Sequence, residues 1–311
     1  MAMSNDTVTA EGFDHGERRS LERSVTLSTT TPFDGTGVLG FLADRVVAGI
    51  EACDEHSYSR SMRAPHGPAF VVMTPGDGGV RCRVSLADER DWDDVIARCR
   101  RVFDLDADPR AIDGHLGRDT LLAQSVRTLP GIRVPGHVDG FEVAVRAVVG
   151  QQISVAGART VLGRLVLDYG EPVKGRGRLT HLFPRPHVVA SIDPEDLPMP
   201  RARGRALVGL GAAVSSGEVL LEHGVDLPTT RSDLLELPGI GPWTADYIAL
   251  RSLGDRDVFL ETDLGVKHGL TRLGVRGDAR QAAQRWKPWR SYAMMHVWGA
   301  STARDHAPEQ R

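Results

Sequence analysis

The chain is poor in cysteine: Cys53, Cys82 and Cys99 are the three thiols in 311 residues. They are too few and too scattered for a disulfide framework, a zinc site or a four-cysteine iron–sulfur cluster, and read as buried free thiols. Long apolar runs are missing as well. No stretch approaches the roughly 20 residues of a membrane span, and the polar, acidic N-terminus lacks the apolar core of a signal peptide. The expectation is a cytoplasmic protein with no membrane partner. Positive charge is also scarce: 38 Lys and Arg against 41 Asp and Glu leave a net charge of −3, which argues against a partner bound by neutralising phosphates. Its distribution weakens that objection, because residues 263–311 carry nine basic and four acidic residues, a net +5. A solvated helical face would look the same. Carboxylate clusters suited to a catalytic metal, internal repeats and low-complexity tracts are all absent.

What is present is an ordinary globular composition, 41% hydrophobic and 25% charged, in a chain long enough for two or three domains. Residues 1–23 are polar and aperiodic and read as a flexible tail. Strand-like alternation marks Ser24 to Thr30, Tyr58 to Arg63, Ala69 to Thr74 and Val80 to Leu86. Helical periodicity marks Val38 to Ala52 and Trp92 to Phe103. The order β-α-β-β-β-α predicts a small α+β domain over residues 24–112. After the connector punctuated by Pro130, Gly131, Pro135 and Gly136, nearly every periodic segment is helical, so residues 113–311 read as a helical domain. Its longest helix is expected to start near Val138, with Gly150-Gln151-Gln152-Ile153-Ser154 in its middle or at a break.

The most informative segment is Leu237-Pro238-Gly239-Ile240-Gly241-Pro242-Trp243-Thr244-Ala245, followed 22 residues after Gly241 by Asp263. Two glycines around one aliphatic residue allow a tight turn whose N–H groups can meet an anion at a helix N-terminus. The preceding Ser232 to Glu236 reads as a capped short helix, giving helix, Gly-x-Gly hairpin, helix. An ordinary helical turn that binds nothing has the same signature. Asp263 follows the extended run Asp257 to Leu260, with Thr262 as the expected cap and Asp263 in the first helical turn, where an aspartate can serve the helix alone. The C-terminal run Trp286 to Trp298 holds three of the five tryptophans. There Pro288 suits a first turn, and Met294 and Trp298 share a face at i,i+4 spacing, which core packing would also explain.

Taken together, Leu237 to Ala245, Asp257 to Leu260 with Asp263, Trp286 to Trp298 and Phe141 to Val155 resemble the helix-hairpin-helix DNA glycosylase superfamily. Within it they resemble the AlkA-like DNA-3-methyladenine glycosylase II family. Matches at Leu39-Gly40-Phe41-Leu42 and Phe103-Asp104-Leu105 extend the resemblance over most of residues 24–303. It implies an all-α glycosylase array of two lobes with the active-site cleft between them. It further implies base excision repair of double-stranded DNA: an alkylated purine of the 3-methyladenine type is flipped from the duplex and its N-glycosidic bond hydrolysed. Asp263 would be the catalytic carboxylate. Trp243, Tyr247, Trp298, Phe41, Arg45 and Leu264 would bind the base, and Gly239, Ile240, Gly241, Thr244, Gln151, Gln152 and Lys267 the DNA. Bifunctional relatives place a lysine nucleophile where this chain has Trp243, so a monofunctional enzyme without lyase activity is expected. Gln152 stands where a relative has an apolar wedge, with Ile153 next; Gln151 and Gln152 would serve equally to satisfy a helix break. Leu264 replaces an aromatic. No cofactor is implied beyond a structural cation on carbonyls near Leu237, Gly239 and Gly241, and a monomer is expected. The competing readings are a non-catalytic DNA-binding module, which would need neither Asp263 nor the aromatics, and a glycosylase for other damaged bases.

Overall fold

The computed structural model of the chain describes residues 7–10 and 21–302. An antiparallel sheet precedes a helical array, the expected α+β arrangement, and among the described residues no helix is long and apolar enough to cross a membrane. The sheet comprises β1 (Thr7–Ala10), β2 (Leu21–Ser28), β3 (Glu51–Cys53), β4 (Tyr58–Ala64), β5 (Gly67–Gly76) and β6 (Gly79–Leu86) in the order β1-β2-β6-β5-β4-β3. Alternation sets the register. Val80, Cys82 and Val84 of β6 are buried while Arg81 and Arg83 face out, and Cys82 pairs with Val25 on one side and Met73 on the other. A one-residue slip would turn the arginines into this core. Two helices, α1 (Gly35–Ala43) and α2 (Trp92–Val102), add their apolar faces; Val95, Cys99 and Val102 form the buried stripe of α2.

Several boundaries differ from expectation. The tail falls partly outside the described residues, but Thr7–Ala10 pairs with β2, and β2 itself begins at Leu21. Helix α1 stops at Ala43 instead of reaching Ala52. β-branched Val46 and Val47 and the left-handed Gly49 (φ 91°) follow, and Glu51 to Cys53 pair with β4. Tertiary pairing overrides helical periodicity there.

The rest of the chain forms α3 (Pro109–Leu116), α4 (Ala123–Thr128), α5 (Gly140–Val149), α6 (Val155–Tyr169), a ribbon β7 (Glu171–Arg176) and β8 (Leu179–Leu182), then α7 (Pro186–Ala190), α8 (Arg201–Ser216), α9 (Leu227–Glu236), α10 (Pro242–Ile248), α11 (Leu264–Arg272), α12 (Ala279–Ala283) and α13 (Arg290–Thr302). The ribbon was not anticipated; it reaches the sheet edge, where Ser61 donates to the His181 carbonyl. Helices α5, α6 and α8 share one apolar core with Ile240, Ala245 and Ile248. Helices α3, α4, α11 and α13 share another with Leu250 and Leu253. The Gly150 to Ser154 segment is a break: α5 starts at Gly140, capped by Asp139, and Ser154 caps α6. The longest described helix is α8, at 16 residues, not α5. Helix α9 is capped by Asp226, so Ser232 lies within it. Pro288 precedes α13 instead of entering its first turn.

A buried ionic network joins sheet to helices. Arg60 of β4 bridges Glu51 of β3 and Glu142 of α5, Arg146 of α5 bridges the same two carboxylates, and Tyr58 donates to Glu51. Burial opposes ionisation of both carboxyls, but the two guanidinia outweigh it and hold them below the ordinary range. His137, touching Arg60 and Glu142, is pushed well down by burial and by the two arginines and remains a neutral imidazole. Glu51, His137 and Glu142 converge closely enough to suggest a metal site. The two guanidinia already occupy those carboxylates, and a third cation would be repelled.

The hairpin between α9 and α10 uses its glycines differently. Gly239 is left-handed (φ 86°), and a Cβ there would meet Ala206 Cβ at 2.6 Å. Gly241 has φ −97°, and a Cβ would meet nothing within 4 Å. The fold therefore requires glycine at 239 and not at 241.

Replacing Arg60 with Met leaves two buried carboxylates sharing one guanidinium and should cost about 3–5 kcal/mol in urea unfolding. Gly239→Ala should lose at least about 1–2 kcal/mol, whereas Gly241→Ala should stay within about 1 kcal/mol of the parent.

Candidate active site

Asp263 is the N-cap of α11, not a member of its first turn, and Thr262 is not the cap. Its Oδ1 accepts from the Val266 N–H at 3.0 Å and from the Trp298 indole N–H at 2.9 Å, while Oδ2 accepts from the Trp243 indole N–H at 3.1 Å. Both oxygens are thus aimed by donors from α10, α11 and α13. The residues predicted to be a carboxylate and two pocket aromatics form one hydrogen-bonded triad.

The triad faces a cavity of about 630 Å³, lined also by Phe41, Arg45, Arg146, Tyr247, Arg251 and Met295. Trp243 sits directly after Pro242, which suits the first turn of α10, and Tyr247 follows at i+4. Their rings stack at 5.3 Å between centroids and 21° between planes. Phe41 and Arg45 arrive from the end of α1, with the Arg45 guanidinium 3.7 Å from the Phe41 ring centroid. Leu264, expected in the pocket, is 70% exposed and does not line it, because the cap at Asp263 turns the next side chain outward.

Arg251 and Arg146 were not anticipated. Arg251 lies in the π-helical turn Ala249–Leu253, one turn beyond Tyr247, so its i+4 spacing from that tyrosine was the available signal. Its Nε donates to the Pro135 carbonyl, Nη2 to the Gly136 carbonyl at 3.2 Å and Nη1 to the Tyr247 hydroxyl at 3.1 Å, and its Cζ lies 4.6 Å from the Phe41 centroid. Arg146 donates to the Arg45 carbonyl at 3.0 Å and so ties the rim to the ionic network.

On the expected DNA face, the outcome is mixed. Ile240 and Thr244 are buried, so their side chains anchor the hairpin from within. Gln151 donates to the Gly239 carbonyl at 3.1 Å and to the Thr244 hydroxyl at 2.9 Å, strapping the α5–α6 break to the hairpin. Gln152 is exposed with φ 57°, at the tip of the break, and Ile153 is half-buried and lines the cavity. Lys267 is exposed on α11. The carbonyls of Leu237, Gly239 and Gly241 each accept one hydrogen bond, from Ile240, Gln151 and Ala245 respectively. Each keeps a lone pair, which fits a cation held by backbone oxygens.

The chain is similar to known proteins in sequence and in fold. Residues 24–139 match the AlkA N-terminal domain family. The chain is 45% identical, over 88% of its length, to a Mycobacterium tuberculosis protein named "Probable bifunctional transcriptional activator/DNA repair enzyme AlkA"; it spans about half of that relative, 56%. It is 36% identical to DNA-3-methyladenine glycosylase 2 of Escherichia coli, over 88% of this chain and 96% of the relative. The fold superposes on the 3-methyladenine DNA-glycosylase of Archaeoglobus fulgidus with a TM-score of 0.75 at 17% identity, covering 89% of this chain and 97% of the other. The chain belongs to the AlkA family of DNA-3-methyladenine glycosylases, within the helix-hairpin-helix glycosylase fold.

Proposed function

We propose that the chain is a monofunctional DNA glycosylase that flips alkylated purines out of double-stranded DNA and hydrolyses their N-glycosidic bond, acting in the cytoplasm as a monomer. The observation that carries this reading is the Asp263 carboxylate held between two indole N–H donors at the edge of a cavity walled by Trp243 and Tyr247. As the bond breaks, the sugar becomes oxocarbenium-like, and a preorganised carboxylate stabilises that charge without reorganising. It can also orient water and accept its proton. Stacked aromatic faces suit an electron-poor purine.

Trp243 offers no amine, and its N–H is committed to Asp263, so the site has no means at that position of forming a Schiff base with the opened sugar. The hairpin supplies the grip on the backbone. Among the described residues nothing demands glycine at 241, which is the pattern expected where an outside phosphate approaches the main chain closely. Exposed Lys267 would add charge for the backbone, and Gln152 at the tip of its break, or Ile153 next to it, would enter the duplex. A cation on the Leu237, Gly239 and Gly241 carbonyls would position hairpin against phosphate and take no part in bond cleavage.

Asp263→Asn keeps the shape and removes the charge, and base release from methylated duplex DNA should fall about 10²-fold or more. Equal rates for the two proteins would refute the catalytic role. Borohydride treatment during turnover should trap no covalent protein–DNA adduct; a trapped adduct would contradict the monofunctional assignment.

A further inference from the structure

We propose that the outer face of the sheet, turned away from α1 and α2, grips the backbone of a second segment of double-stranded DNA, apart from the one held at the hairpin. This rests on the glycosylase reading above and concerns a surface that base release does not use.

The sheet has two unlike faces. Val25, Leu27, Val71, Met73, Val80, Cys82 and Val84 point inward and share one core with α1 and α2. Alternation puts the residues between them on the opposite side, and the register lines these up in rows across β2, β6 and β5: Thr26, Arg81 and Thr74, then Ser24, Arg83 and Val72. Arg81, Arg83 and Thr26 are exposed, and the other three are half-buried. Along β6 the two arginines stand about 7 Å apart. Among the described residues no ion pair engages either of them.

The β7–β8 ribbon banks this face with further positive charge. Arg176 lies 5.9 Å from the Phe70 ring centroid of β5 and 3.3 Å from the Glu22 carboxylate of β2, so it covers the next row and neutralises the acid there. Lys174 and Arg178 are exposed on the same ribbon. From 172 to 192 the chain has four basic residues and no acidic one. Residues 25–112, by contrast, carry ten basic and fourteen acidic residues, a net −4. Five of those acids, Asp88, Glu89, Asp91, Asp93 and Asp94, lead into α2 or begin it, away from the arginine rows. A basic face therefore stands on an acidic domain.

The chemistry of the rows selects the occupant. Guanidinia pair with phosphates, and flanking hydroxyls can donate to the remaining phosphate oxygens, which grips a backbone without reading its sequence. An acidic protein partner would call for apolar anchors at the centre of the patch, where the rows offer Val72 alone. Helix α1 brings Phe41 and Arg45 to the cavity from the other side of the sheet. A duplex lying on the arginine rows is thus a different segment from the one whose base enters the cavity, and one chain can hold two.

The test uses the full chain with two undamaged duplexes of about 20 base pairs, one carrying a donor dye and the other an acceptor. The parent should bring the two together. Arg81→Gln combined with Arg83→Gln should weaken this bridging about tenfold and make its dependence on log salt shallower by about 2. Release of 7-methylguanine from a methylated duplex should stay within about twofold of the parent, because neither arginine meets the reacting segment. A parent that does not bridge, as an acidic protein or a second copy for an occupant would give, would overturn the proposal and leave the glycosylase reading intact. Equal bridging by parent and double variant, or a variant that loses base release in step with bridging, would do the same. A parent that bridges through these arginines but releases no base would overturn the glycosylase reading and uphold the second site.

Discussion

The join between sheet and helices depends on the buried exchange of charge among Glu51, Arg60, Glu142 and Arg146. Two carboxylates and two guanidinia, all removed from water, tolerate one another only in a geometry where every charge has its partner. That requirement fixes the sheet edge against α5. It also fixes what lies above, because Arg146 holds the Arg45 carbonyl and thereby the end of α1, which brings Phe41 to the cavity. The N-terminal domain is part of the site through this network and not by contact of apolar surfaces alone.

Above the network, the cavity is electrically divided. Asp263, aimed by the indoles of Trp243 and Trp298, supplies negative charge on one side. Arg45 and Arg251, gathered at Phe41, supply positive charge on the other.

The hairpin shows the same economy. Gly239 answers an internal demand, a left-handed turn pressed against Ala206, whereas Gly241 answers none. Gln151, by bonding to both the Gly239 carbonyl and Thr244, holds the hairpin to the α5–α6 break that carries Gln152.

Much of this was legible in the sequence because it is local. The alternation in Val80 to Leu86, the stripe of Val95, Cys99 and Val102, and the Gly-x-Gly turn each follow from periodicity or backbone freedom within a few residues, and they set the fold class and the hairpin. The resemblance of the motifs around Trp243, Asp263 and Trp298 singled out three residues without showing that they meet in one hydrogen-bonded cluster. Elements decided by pairing with distant partners were not legible. Glu51 and Ala52 left a helical pattern to join β4, and the β7–β8 ribbon formed against the sheet edge. The sequence by itself determined which side chains are available and where helices and strands can start. Only the tertiary structure decided that Leu264 faces outward, that Ile240 and Thr244 anchor the hairpin from inside, and that Arg251 donates to the Tyr247 hydroxyl. Burial and charge pairing are properties of what surrounds a residue, and that is assembled from segments far apart in the chain, as Phe41 and Arg251 are.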